Sequence, residues 1–186
     1  MSNYLRAKER YKKCRGLTRE LIEEELLHEL GIRVDVIGID DDVLRKVRRQ
    51  WYENPARQVG WDWETQILQP LLSYGPRTFY AAYLVKGTLC ALAAARLSPG
   101  KRWISLTHVE GAKNDHPLKG KVLPIVIRSL YVFRGVIHTG GPEMPGIRVL
   151  RPLPDALDCY DACGYPPATM AKKDSVIVIE PPTGSK

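Results

Sequence analysis

Two stretches of the sequence carry residues whose types and spacing suit chemistry. His116-Pro-Leu-Lys-Gly-Lys-Val122 separates an extended, β-rich run, Trp103 to Glu110, from the apolar segment Leu123 to Phe133. A helix opening out of the Lys119-Gly120-Lys121 loop leaves the backbone N–H groups of its first turn free, beside two fixed cations. Those donors and the helix dipole favour the same ligand, a phosphate or pyrophosphate. In the preceding strand His108 and Glu110 lie two residues apart and therefore share one face. The plain alternative is a basic turn before a helix, with two satisfied surface side chains nearby. Further on, Asp158-Cys-Tyr-Asp-Ala-Cys-Gly-Tyr165 sets Tyr160 in a short helical segment.

Local patterning predicts the elements that must position these groups. Tyr4 to Leu30 reads as helical with a break near Gly16, an apolar stripe at Leu17, Leu21, Leu26 and Leu30, and Thr18 as a cap for the second half. Ile32 to Ile39 alternates with period two and is β-branched, which predicts a strand. Asp40, Asp41 or Asp42 then caps a basic helix over about residues 42–53, and a second helix runs over about 62–73. Thr78 to Val85 and Thr88 to Leu97 form a hairpin around a Lys86-Gly87 turn. After the strand at 102–110 and a helix at about 121–134 comes a Gly/Pro loop, His138 to Gly146. A short strand (147–150), a short helix (154–163) and a last strand (about 169–179) complete the core, before a frayed tail. The expected division is a helical arm at 1–31, a folded domain at 32–180 and a tail at 181–186.

At 186 residues, 44% hydrophobic and 26% charged, the chain suits one soluble domain. No apolar run approaches the roughly 18–20 residues of a membrane span, and the N-terminus is polar and then basic. These features predict a cytoplasmic protein without membrane contact. Cys14 and Cys90 stand alone, whereas Cys159 and Cys163 are four apart, which is neither a redox nor a zinc spacing, so idle thiols and no metal are expected. The net charge of +7 is unevenly spread. Residues 1–19 hold seven Lys or Arg against Glu9, a net of +6, leaving only +1 for the rest. Such an arm suits nucleic acid or an acidic partner, or is a solvated helix face.

The element order, β-α-α-β-β-β-α-β-α-β over about residues 32–179, resembles the GNAT superfamily of acyl-CoA-dependent N-acyltransferases. Three pieces carry the likeness: the strand into His116-Pro-Leu-Lys-Gly-Lys into a helix, the Lys86-Gly87 hairpin, and Asp158 to Tyr165. The resemblance implies an α/β fold with a mixed, mostly antiparallel twisted sheet flanked by helices. It also implies acetyl-CoA as acyl donor, its pyrophosphate gripped by backbone amides around Lys119, Gly120, Lys121 and Val122. Val109 to Gly111 would pair with the pantetheine arm. Tyr160 would protonate the departing thiolate, and Glu110 or His108 would be the base for the acceptor amine. The loop departs from the family pattern at Val122 and Pro124, where further glycines are usual, so the cradle is degenerate.

The chemistry is consistent with those roles. Amine attack on a thioester needs a neutral amine, donors for the developing oxyanion and a proton for the sulfur. Trp51, Tyr52, Trp61 and Trp63 cluster at the first two helices, where such proteins build the acceptor pocket; most of them are expected in the core. His138 to Gly141 is a connecting loop or one that closes over substrate. Three readings follow. One is an N-acetyltransferase acting on an amine of unknown identity. Another is a GNAT-fold protein that binds or modifies nucleic acid through its basic arm. The last is a non-catalytic module whose arm docks a partner or a second copy as a homodimer.

Overall fold

In the computed structural model, residues 2–138, 144–163 and 176–179 are described. Helix α1 spans Asn3–Leu30, capped by the Ser2 hydroxyl, which accepts from the Leu5 N–H at 3.3 Å. It ends where Gly31 turns left-handed at φ +65 and its N–H closes on the Leu27 carbonyl. The expected break at Gly16 does not occur. Thr18 is not a cap; it is buried, and its hydroxyl donates to the Cys14 carbonyl at 2.8 Å inside the continuous helix. The buried stripe is Tyr11, Thr18, Ile22 and Leu26, while Leu17 and Leu21 are exposed. Each residue step turns the helix by about 100°, so choosing Leu17 instead of Thr18 selects the wrong face.

Three arm cations are committed to the body of the protein. Arg15 donates to the Pro76 and Thr78 carbonyls, both at 3.1 Å, and Arg19 donates to the Tyr80 carbonyl at 2.9 Å. Arg10 reaches the Ile137 carbonyl at 3.4 Å. The acidic half of α1 is used similarly: Glu23 accepts from the Val36 N–H at 2.7 Å, and Arg128 bridges Glu25 and Glu29.

The sheet has six strands in sequence order: β1 (Asp35–Ile37), β2 (Thr78–Val85), β3 (Thr88–Leu97), β4 (Trp103–Gly111), β5 (Gly146–Leu150) and β6 (Val176–Ile179). All neighbours are antiparallel except β4 and β5. Lys86 and Gly87 both have positive φ, +50 and +77, the geometry that matches a tight hairpin to strand twist. One face is covered by α1 and α4 (Val122–Ile137), which pack on Phe79, Tyr83 and Leu106 of the sheet. The other is covered by α2 (Asp41–Val47, capped by Asp40) and α3 (Gln69–Ser73). Alpha-helix α2 widens into a π-helical turn over Arg48–Tyr52, and a second π turn, Trp63–Leu68, leads into α3. Both carry a tryptophan inward, Trp51 and Trp63, onto Leu92 and Ala94 of the sheet. After β5 a short 3-10 turn, Pro154–Ala156, enters α5 (Leu157–Ala162). Of the expected 169–179 strand, Val176–Ile179 is described and is a strand, and residues 169–175 lie outside the described residues. Thr139 to Gly141, Gly164, Tyr165 and the tail lie outside the described residues.

Candidate active site

Two irregularities of β4 build the site. The first is a bulge. Ala94 pairs with His108 but Ala95 pairs with Leu106, so Thr107 is the extra residue, its hydroxyl donating to the Ala94 carbonyl at 2.9 Å. Without it, Leu106 and His108 would share a face. With it, Leu106 enters the α1/α4 core while His108 and Glu110 turn to the α2/α3 side. The second is divergence. Strand β5 pairs with β4 only from Trp103 to Leu106, so the β5-side edge of β4 from Thr107 to Gly111 makes no ladder bonds. The parting strands open a cleft of about 720 Å³, lined among others by Thr107, His108, Val109, Leu150 and Tyr160.

Within the cleft, His108 sits edge-on to Trp61 at 5.1 Å and to Trp63 at 6.4 Å. Its Nδ1 is buried without a hydrogen-bond partner. Burial pushes its pKa below the ordinary histidine value, so the ring is neutral at pH 7. Tyr160, 3% exposed, has its phenol pushed well above the usual range, first by burial and then by the neighbouring Cys159 and Cys163. It therefore keeps its proton.

Glu110 faces the same side as His108 but is differently engaged. Its carboxylate takes Arg57 Nε at 2.6 Å and Nη2 at 3.0 Å, and the Trp63 indole N–H at 2.7 Å. Both charged side chains are nearly enclosed, 10% exposed for Arg57 and 4% for Glu110. The Glu110 hydrogen bonds hold the Arg57 guanidinium more firmly charged, against the opposing effect of burial. Arg57 also stacks over Tyr52 at 4.6 Å and donates to the Trp61 carbonyl at 2.6 Å. Sequence reasoning did not single out Arg57, which lies in a polar loop without periodicity. Its only signal is a cation following the tryptophan-bearing segment.

The basic loop lies at the end of β4. The Lys119 and Lys121 amides close turns onto the His116 and Leu118 carbonyls, and the Leu118 amide donates to His116 Nδ1. The Gly120, Val122 and Leu123 amides have no acceptor among the described residues. Helix α4 has no side-chain cap, Gly120 is left-handed at φ +77, and Lys119 and Lys121 are exposed. Val122 packs back on β4, and a Cβ on Gly111 would sit 3.3 Å from its Cγ2. Val109 packs at the margin of the α1/α4 core. Among the described residues no His/Cys/Asp/Glu group is arranged to hold a metal, and no helix is long and apolar enough to cross a membrane.

The chain superposes on the PaiA N-acetyltransferase of Thermoplasma acidophilum in complex with coenzyme A. The TM-score is 0.52 at 10% identity, over 80% of this chain and 99% of that one. A GNAT family acetyltransferase from Brucella melitensis in complex with acetyl-CoA gives 0.51 at 17% identity, over 80% and 90%. This is the GNAT fold. No protein-family model matches the sequence, and no curated protein does either. Within the GNAT fold, the bulged and diverging β4 and the α5 tyrosine line one cleft, and the uncapped start of α4 follows β4 in the chain.

Proposed function

We propose that the chain is a GNAT-type N-acyltransferase moving an acetyl group from acetyl-CoA to an amine. One observation carries this: His108 and Tyr160 line a single cleft along the unpaired edge of β4. The residues present fit the donor. The free Gly120, Val122 and Leu123 amides, flanked by Lys119 and Lys121, suit its pyrophosphate. The open β4 edge at Val109 and Gly111 offers backbone groups to an amide-containing chain, in the manner of an added strand. When bound, acetyl-CoA supplies the thioester whose acyl group is transferred.

His108 accepts the proton that the acceptor amine gives up, and Tyr160 gives its proton to the departing sulfur. Glu110, saturated by Arg57 and Trp63, braces the wall that orients His108 and is not the base. Trp61 and Trp63 keep water from the imidazole. The test is calorimetric titration of acetyl-CoA into wild-type protein and a Lys119→Glu/Lys121→Glu variant. Saturable binding weakened in the variant supports the reading, and no heat with wild-type protein overturns it. Of the seven arm cations, Arg10, Arg15 and Arg19 are spent on the arm's own domain, while Arg6, Lys8, Lys12 and Lys13 remain exposed.

A further inference from the structure

Beyond His108 the cleft continues across the α2/α3 face of the sheet, and its chemistry there is one-sided. Arg96, Arg148 and Arg151 line it, and none of the described lining residues is acidic. Two of these cations are placed by strand register. Arg96 of β3 is opposite Ser105 of β4, and Ser105 is opposite Arg148 of β5. The row Arg96–Ser105–Arg148 therefore crosses three adjacent strands on one face, its neighbours about 5 Å apart.

Both arginines are held in place without being neutralised. Arg148 donates from Nε to the Ser105 hydroxyl at 2.9 Å and lies over the Trp103 ring at 5.5 Å. Trp103 is itself pressed on Gly146, where an added Cβ would approach its ring to 2.5 Å, so only glycine allows this stack. Arg96 lies over the Tyr74 ring at 4.4 Å. Neither has a carboxylate partner among the described residues. Two like charges flanking one buried hydroxyl repel each other unless an anion sits between them. Planar guanidinium groups are suited to carboxylate or phosphate by paired N–H donors.

We propose that the Arg96–Ser105–Arg148 row is the specificity site of the acceptor, and that the acceptor carries a carboxylate or phosphate besides its amine. This rests on the acyltransferase reading, which places the reacting amine at His108. From Ser105 to His108 is two to three strand residues, allowing for the bulge, so amine and anion are separated by roughly 7–10 Å. A short ω-amino acid or an amine phosphate of similar length has that span, whereas a diamine would bring its second cation against Arg96 and Arg148.

The experiment titrates ε-aminocaproate, its neutral amide, cadaverine and inorganic phosphate into protein saturated with free CoA, which has no acyl group to transfer. Wild-type, Arg96→Gln and Arg148→Gln proteins are compared, with far-UV circular dichroism as the fold check. The proposal expects ε-aminocaproate or phosphate to bind wild type, the amide and cadaverine to bind at least about tenfold more weakly, and each variant to lose about tenfold for the anion. Which anion binds more tightly distinguishes carboxylate from phosphate acceptors. Anion affinity unchanged in both folded variants, equal affinity for the neutral amide, or no binding of either anion would overturn it. Arg96→Lys and Arg148→Lys should recover part of the loss, because the charge returns without the paired donors. Titration of acetyl-CoA alone separates the two claims. If it binds and the anions do not, only the acceptor assignment fails; if it does not bind, the acyltransferase reading fails first.

Discussion

Removing the Glu110 carboxylate should damage the protein through folding and only secondarily through chemistry. The carboxylate receives two hydrogen bonds from Arg57 and one from Trp63, and its side chain is 4% exposed. In Glu110→Ala the guanidinium stays buried without its counter-charge, which costs about 3–5 kcal/mol. The orphaned indole N–H adds about 1–3 kcal/mol, though the two losses share one site and do not simply add. Taking about 4 kcal/mol, and about 2–4 °C per kcal/mol for a chain this long, the melting temperature falls by about 8–16 °C. Glu110→Gln keeps one acceptor oxygen and should lose about half as much. Replacing the pair together, Arg57→Met with Glu110→Leu, should recover most of the stability, because no charge is left buried. The assay is thermal and urea unfolding followed by circular dichroism, alongside acetyl transfer. A Glu110→Gln protein of unchanged melting temperature that has lost transfer altogether would refute the reasoning and make Glu110 the proton acceptor.

Further predictions concern the remaining parts of the site. Tyr160→Phe, which keeps the packing, should lower kcat by about 10²-fold or more while acetyl-CoA affinity, read by calorimetry, stays within a factor of about two. The rate should rise with pH through an apparent pKa below 6.5 set by His108, a limb that disappears in His108→Ala. For stability the same group works by its unfolded form binding the proton first. The His108 contribution is complete above about pH 6.5 and is lost as pH falls from there toward the lowered folded value, an effect readable from melting curves of wild type against His108→Ala. Gly111→Ala should cost about 1–3 kcal/mol and weaken acetyl-CoA binding, because the new methyl pushes Val122 and the start of α4.

The fold was largely legible where one local signal dominated. The Lys86-Gly87 turn set the hairpin, Asp40 capped α2, and the apolar run from Val122 set α4. Tyr160 lies in a short helix and the Lys-Gly-Lys loop directly precedes α4, the local units in which the sequence sets them. The arm was misread for a physical reason. Leu17 and Leu21 look more buried than Thr18, yet Thr18 hides its hydroxyl on the Cys14 carbonyl, so a polar residue can occupy the packed face.

What lies within one strand or one helix turn is written locally: alternation, capping, tight-turn residues, and a basic loop before an apolar helix. Contacts between segments distant in sequence are not. Nothing near Arg57 announces that it meets Glu110, 53 positions away. The bulge at Thr107 turns His108 away from the face of Leu106, although in an unbroken strand the two would share it. The row that joins Arg96, Ser105 and Arg148 exists only because three strands align in register. Register follows from the sum of core burial over the whole sheet, so it is decided by tertiary packing, and with it the charge and reach of the cleft.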